Sequence, residues 1–162
     1  MIKKGIILAG GTGTRLSPLT KSVNKQLLPI HDKPMIFYPL SIMMLANIRK
    51  ILMIVNPGQI NNFKTLLGDG SRYGININYK IQDKPRGLPD AFILGKSFIN
   101  NENVALILGD NFFYGQSLTQ KLENSAKHKS GATIFLKKVS TPENYGVAKI
   151  NNKKIEKIIE KP

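Results

Sequence analysis

The sequence predicts an α/β fold: an open, mostly parallel sheet with flanking helices, ending in a β-hairpin. Short Ile- and Val-rich runs alternate with helix-like segments at the spacing of βα units. The runs are rich in Ile and Val, as strands buried on both faces should be. After Lys138 the pattern changes to two β-like runs around Asn151-Asn152, which reads as a hairpin with a two-residue turn.

Five strands are expected at Lys4–Leu8, Ile51–Val55, Ile75–Gln82, Val104–Leu108 and Ala132–Lys138. A helix with Pro34 in its first turn runs to Asn47, where proline's missing N–H costs little. Two more are expected at Gln59–Leu67 and Leu88–Phe98, the latter with Pro89 in its first turn. A fourth starts after Ser117 as N-cap and places Leu118, Leu122 and Ala126 on one face. Phe37, Tyr38, Met43 and Met44 fit an apolar helix face and are assigned to the core. The hairpin strands are Val147–Ile150 and Lys153–Ile159.

With 162 residues and 41% hydrophobic content, the chain is expected to form one domain, residues 1–162. The absence of cysteine removes disulfides and thiolate metal sites, and a cytoplasmic setting fits. The longest apolar stretch, Pro34 to Ala46, is too short for the roughly 20 residues that span a bilayer. The net charge of +14 invites a nucleic-acid reading, but only four of the 24 basic residues are arginines and the lysines are scattered. No nucleic-acid motif accompanies the charge, so no nucleic-acid or membrane partner is expected. His31 and His128 are far apart in sequence and read as structural or surface residues.

The strongest local feature is the first strand running into Ala9-Gly10-Gly11-Thr12-Gly13-Thr14-Arg15-Leu16. Glycines let backbone N–H groups approach a polyphosphate closely. A dinucleotide fingerprint is ruled out because Leu16 stands where its third glycine belongs, and no Walker A lysine pattern is present. Arg15 can hold phosphate oxygens bidentately, and Lys25 supplies a point charge ten residues on. On residue types alone this is either a phosphate cradle or a tight turn with two solvated cations.

The wider string narrows the choice. Gly5 through Leu16, then Pro18-Leu19-Thr20, Lys25-Gln26-Leu27-Leu28-Pro29-Ile30 and Asp32-Lys33-Pro34-Met35-Ile36 together closely resemble the opening of glucose-1-phosphate thymidylyltransferases. Relatives that use UTP typically show Lys-Glu-Met-Leu-Pro at the second motif, so Gln26-Leu27 favours the thymidylyl branch. The resemblance implies a Rossmann-like sheet of the nucleotide-diphospho-sugar transferase type and transfer of deoxythymidylyl from dTTP to glucose 1-phosphate. The products are dTDP-glucose, a step towards dTDP-rhamnose and polysaccharide building blocks, and pyrophosphate.

The resemblance also implies roles. Leu8, Gly10, Gly11, Gly13, Arg15, Gln82, Pro85 and Gly87 form the nucleotide-binding set, with Gln82 and Gly87 on the base. Asp110 ends the strand Val104–Leu108 in Gly109-Asp110-Asn111, where open α/β sheets place ligands. It is the family's Mg²⁺-binding aspartate, and Mg²⁺ suits one or two carboxylates with substrate phosphates. Catalysis rests on Arg15 at the leaving pyrophosphate, Lys25 at the triphosphate and Asp110 at the metal. Tyr145, Gly146, Glu160 and Lys161 resemble motifs that reach the sugar phosphate. One departure stands out: the family usually has Gly-Leu-Ala-Gln-Ala where this chain has Gly87-Leu88-Pro89-Asp90-Ala91.

These 162 residues correspond to little over half of a family member, so a truncated N-terminal portion is expected. It would lack later sugar-binding strands, a second metal-binding aspartate and the helices that help make the family's homo-oligomers, and would leave a sheet edge open to association. Two alternatives stand beside the thymidylyl reading: a catalytically silent nucleotide-binding fragment, and an enzyme using UTP or another sugar 1-phosphate.

Overall fold

The computed structural model describes residues 1–11, 13–128, 130–152, 154–160 and 162, and divides into two compact units, Met1–Lys129 and Ser130–Pro162. The first unit is built on four parallel strands: β1 (Lys4–Ala9), β4 (Lys50–Val55), β5 (Asn76–Ile81) and β6 (Val104–Leu108), in the spatial order β5-β4-β1-β6. A short antiparallel pair, β2 (Pro29–Ile30) and β3 (Lys33–Pro34), lies between β1 and the first helix. The helices are α1 (Phe37–Leu45), α2 (Ile60–Leu67), α3 (Pro89–Leu94), α4 (Lys96–Ile99) and α5 (Leu118–Ala126).

The central strands β1 and β4 are buried on both faces because their two side-chain rows serve two cores, whereas β5 leaves Asn76, Asn78 and Lys80 exposed. Ile7, Ile51, Met53, Val55, Ile77 and Ile107 pack with Leu40 and Met43 of α1, Phe63 and Leu67 of α2, and Leu122 of α5. Ile6, Leu52 and Ile54 point the other way and pack with Ala91, Leu94, Phe98 and Ile99 of α3 and α4. Winding from β1 to β4 to β5 and then back across to β6 produces this layering. A right-handed crossover puts the connecting helices on one face for the outward turns and on the opposite face for the return.

Several expectations change. Pro34 is not helical: it closes the β2-β3 pair around a turn in which His31 takes φ 60, and α1 starts at Phe37. Pro39 is the first-turn proline instead, where its lack of an N–H is tolerated. The helix ends at Leu45, before Asn47 takes φ 58. The predicted helix Leu88–Phe98 is broken at buried Gly95 into α3 and α4, and Pro89 does open the first. Ser117 precedes α5, but its left-handed backbone at φ 55 makes no side-chain cap bond. Tyr38 leaves the assigned core: it is half-buried, its hydroxyl donates to the Ile30 carbonyl at 2.8 Å, and its ring lies against Phe112. Met43 is buried, while Phe37 and Met44 are packed against the core from its margin. Both histidines are exposed.

The second unit contains the hairpin of β7 (Gly146–Asn151) and β8 (Lys154–Glu160), with a bulge between Lys149 and Ile150. Asn151 pairs with Lys154, so the turn falls one residue later than predicted. Asn152 takes φ 46 there, and Lys153 lies outside the described residues. A left-handed residue at the tip suits asparagine, whose short amide tolerates that region. The predicted strand Ala132–Lys138 does not form: the segment joins no ladder, and Ile134, Phe135 and Leu136 are exposed. Strand propensity reflects how well side chains pack on a half-buried surface, and this run's apolar side chains stay exposed instead.

Phe63 is fully buried between α2 and the sheet. Phe63→Ala is expected to lower the unfolding free energy by about 3–5 kcal/mol through lost burial and a residual cavity, measured by urea denaturation.

Candidate functional site

The parallel registers align the strand ends. Ala9 sits beside Val55 and Val55 beside Ile81, while Leu8 pairs with Leu108. The next residue along each strand is therefore Gly10, Asn56, Gln82 or Gly109, gathered at one edge of the sheet. The winding reverses between β1 and β6, so Gly10 and Asp110 flank the switch point, where open α/β sheets bind ligands.

Asn56 holds the glycine loop from the β4 side. Its amide nitrogen donates to the Gly11 carbonyl at 2.8 Å, and its amide oxygen accepts from the Gly11 N–H at 3.2 Å. Gly11 itself takes φ 94, a region closed to most side chains. A methyl group at Gly10 would lie 2.9 Å from Gln82 Oε1 and 3.3 Å from Asn56 Oδ1, so glycine is what lets those two amides close on the loop. Beyond Thr12, which lies outside the described residues, Gly13 accepts from the Thr20 hydroxyl at 2.9 Å. Arg15 follows, exposed, in a single 3₁₀ turn Thr14–Leu16.

Lys25 and Asp110 are 85 residues apart in sequence and meet at 2.5 Å, with 27% and 31% of their side chains exposed. The Asn24 side chain accepts from the Gln26 N–H at 3.0 Å and fixes the short turn that presents Lys25. Gln26 turns inward instead: it is 3% exposed, and its Nε2 donates to the Gly10 carbonyl at 3.2 Å. Its Oε1 is buried without a hydrogen-bond partner among the described residues. A buried acceptor left open in this way is suited to a ligand donor.

Gln82 is 4% exposed at the end of β5, and its Nε2 donates to Asp90 Oδ2 at 2.8 Å. Arg86 spans both acids in this loop, donating to Asp83 at 2.9 and 3.0 Å and to Asp90 at 3.5 Å. Desolvation pulls the Asp83 carboxyl upward, but the Arg86 charge and hydrogen bonds hold it below the usual carboxylate range. Leu8 is half-buried in β1, and Pro85 and Gly87 are exposed, the latter at φ 88. Of the predicted nucleotide set, Gly10, Gly11 and Gln82 gather at one edge around Asn56, while Lys25, predicted at the triphosphate, rests on Asp110.

Within the second unit, Gly146 and Glu160 face each other across the hairpin. A methyl group at Gly146 would lie 3.1 Å from Glu160 Oε2, so these two sugar-phosphate candidates adjoin. Tyr145 is exposed beside them, and Lys161 lies outside the described residues.

Sequence reasoning passed over Asn56 and the inward role of Gln26. The signal for Asn56 was available: it ends a buried strand immediately before Pro57-Gly58, one position from the sheet edge. Among the described residues no group of three or more His, Asp or Glu gathers to hold a metal, and no helix is long and apolar enough to cross a membrane.

Backbone amides, the Lys25 ammonium and one hard carboxylate are collected where the sheet reverses its winding, the place where open α/β domains bind ligands. Comparison with known proteins agrees: residues 4–162 match the nucleotidyl transferase family, and the chain belongs to it. It is 58% identical over 160 residues to a glucose-1-phosphate thymidylyltransferase of Neisseria meningitidis, covering 98% of this chain and 56% of that protein. A Xanthomonas campestris protein of the same name is 51% identical over 161 residues, with 99% and 55% covered. The chain spans about half the length of these curated relatives. Among solved structures, a Bacillus anthracis protein assigned the same activity and bound to sucrose superimposes with a TM-score of 0.90 at 40% identity, over 98% of this chain and 64% of that one. A UDP-glucose pyrophosphorylase bound to UDP-glucose superimposes with a TM-score of 0.78 at 26% identity, over 100% and 70%.

Asn56→Ala is expected to weaken nucleoside triphosphate binding about tenfold, since two hydrogen bonds that preorganise Gly11 are lost. Titration calorimetry with dTTP checks this, and an unchanged affinity would remove Asn56 from the site.

Proposed function

We propose that this chain supplies the nucleotide-binding part of a glucose-1-phosphate thymidylyltransferase. The observation that carries the reading is the Lys25–Asp110 pair beside the Asn56-braced glycine loop at the switch point. Relatives of that name at 58% and 51% identity support it, as does the Gln26-Leu27 pair. A phosphate oxygen of glucose 1-phosphate attacks the α-phosphorus of dTTP, the bond to the β-phosphate oxygen breaks, and pyrophosphate leaves with the electron pair. The nucleophile is already anionic, so positioning and charge neutralisation suffice without a covalent intermediate.

In this reading the loop amides of Gly10, Gly11 and Gly13 cradle the phosphates, with Leu8 and Pro85 beside the nucleotide and Gln82 and Gly87 on its base. Gln26 Oε1 offers an acceptor to a nucleotide hydroxyl. Arg15 neutralises the leaving pyrophosphate, and Lys25 exchanges its carboxylate partner for the triphosphate. Asp110 fits Mg²⁺ as a single hard oxygen ligand, in a position that already attracts a cation. When bound, the ion neutralises phosphate charge. Tyr145, Gly146, Glu160 and Lys161 serve the sugar phosphate, and the reaction is cytoplasmic, at the head of a deoxysugar route.

Pyrophosphate release should require dTTP, glucose 1-phosphate and Mg²⁺ together, and Asp110→Asn should reduce it by about a hundredfold or more. A chain that binds dTTP without turnover would favour the silent binding fragment, and faster release from UTP the uridylyl alternative. A folded chain that does neither would refute the reading.

A further inference from the structure

We propose that Asp90 is a positioning residue that sets which pyrimidine the site accepts. The inference rests on the reading of this edge as a thymidine nucleotide site. Gln82 and Asp90 are 4% and 5% exposed, and the Gln82 Nε2–Asp90 Oδ2 contact of 2.8 Å is buried. A carboxylate only accepts hydrogen bonds, so the Gln82 atom facing Asp90 must be its NH₂ group. The amide carbonyl is thereby turned the other way, and Oε1 lies over Gly10, where a methyl group would be 2.9 Å from it.

Without such an anchor a glutamine amide presents either end to a ligand, since half a turn about its last bond exchanges donor and acceptor. Asp90 removes that freedom. An outward carbonyl accepts from the N3–H of thymine or uracil, and it opposes cytosine, whose N3 is itself an acceptor. Arg86 keeps the anchor in place: its Nη1 reaches Asp90 at 3.5 Å while its Nη2, facing both carboxylate oxygens of Asp83, ties the preceding loop to the same guanidinium. Asp90 therefore acts through Gln82 and has no need to touch the nucleotide.

The test is the ratio of dCTP to dTTP dissociation constants, measured by titration calorimetry on the unmodified chain, on Asp90→Asn, and on the exchange variant Asp90→Asn with Gln82→Glu. Asparagine at position 90 lets the Gln82 amide rotate, so the preference for dTTP should fall about tenfold, the value of one hydrogen bond to a well-placed acceptor. The exchange variant puts the carboxylate at position 82 and the amide donor at 90. It presents an oxygen to the base again and should recover the preference, which a purely structural role for Asp90 would not produce.

A ratio unmoved by Asp90→Asn overturns the proposal. If that variant does not fold, the Gln82 side-chain amide of the unmodified chain decides by NMR: one Nε2 proton protected from solvent exchange supports the anchor, and two freely exchanging protons overturn it. If the unmodified chain shows no pyrimidine preference, the thymidylyl reading fails, and the same amide protons still test the Asp90 anchor separately.

Discussion

The site depends on one constraint, the in-register parallel pairing of β4, β1 and β6 around a buried central strand. Because parallel partners advance together, fixing Ala9 against Val55 and Leu8 against Leu108 also fixes which residues emerge side by side at the sheet edge. The glycine loop, the Asn56 amide, the Gln82 amide and the Asp110 carboxylate come from strands that meet nowhere else in sequence. A one-residue slip of β4 would bury Asn56 or lift it away from Gly11, and would also exchange the two side-chain rows that feed the separate cores. The same apolar packing that stabilises the fold therefore sets the positions of the polar groups.

Charge is handled locally at that edge. The Lys25–Asp110 pair lets a lysine and an aspartate sit partly buried beside backbone that itself offers hydrogen bonds. Exchange of one anionic partner for another costs less than stripping water from a lone ammonium, which is how the proposed function has Lys25 take a phosphate. The Asp83–Arg86–Asp90 set does the same for the loop after β5, where a single guanidinium serves two acids.

Much of the fold was legible because the strands are Ile- and Val-rich runs separated by helix-like segments; four of the five predicted sheet strands formed within a residue or two of their expected ends. The failures have physical causes. Ala132–Lys138 has a strand's composition, but its apolar side chains stay exposed, and composition does not say which runs find a core to pack on. Pro34 and Pro39 both suit a helix start, and the choice between them depended on the β2-β3 pair, which spans two residues a side and carries almost no signal. Within the site, Gly10, Lys25, Gln82 and Asp110 were readable from motif and strand position. Asn56 could be found by its strand-end position, but its contact with Gly11 and the Gln82–Asp90 contact could not, because each joins residues whose proximity exists only in the folded chain. Asp90 was visible as a departure from the family pattern, though not as a partner for Gln82.

The central claim is that a nucleotide seats on the edge where β1, β4, β5 and β6 end. Hydrogen–deuterium exchange of the full chain with and without dTTP tests it directly. The account predicts slowed exchange in the segments that follow these strands, residues 10–16, 56–59, 82–88 and 109–112, with little change at the opposite end of the sheet. Protection confined to other segments, such as Ile93–Asn101, would place the ligand elsewhere and contradict it.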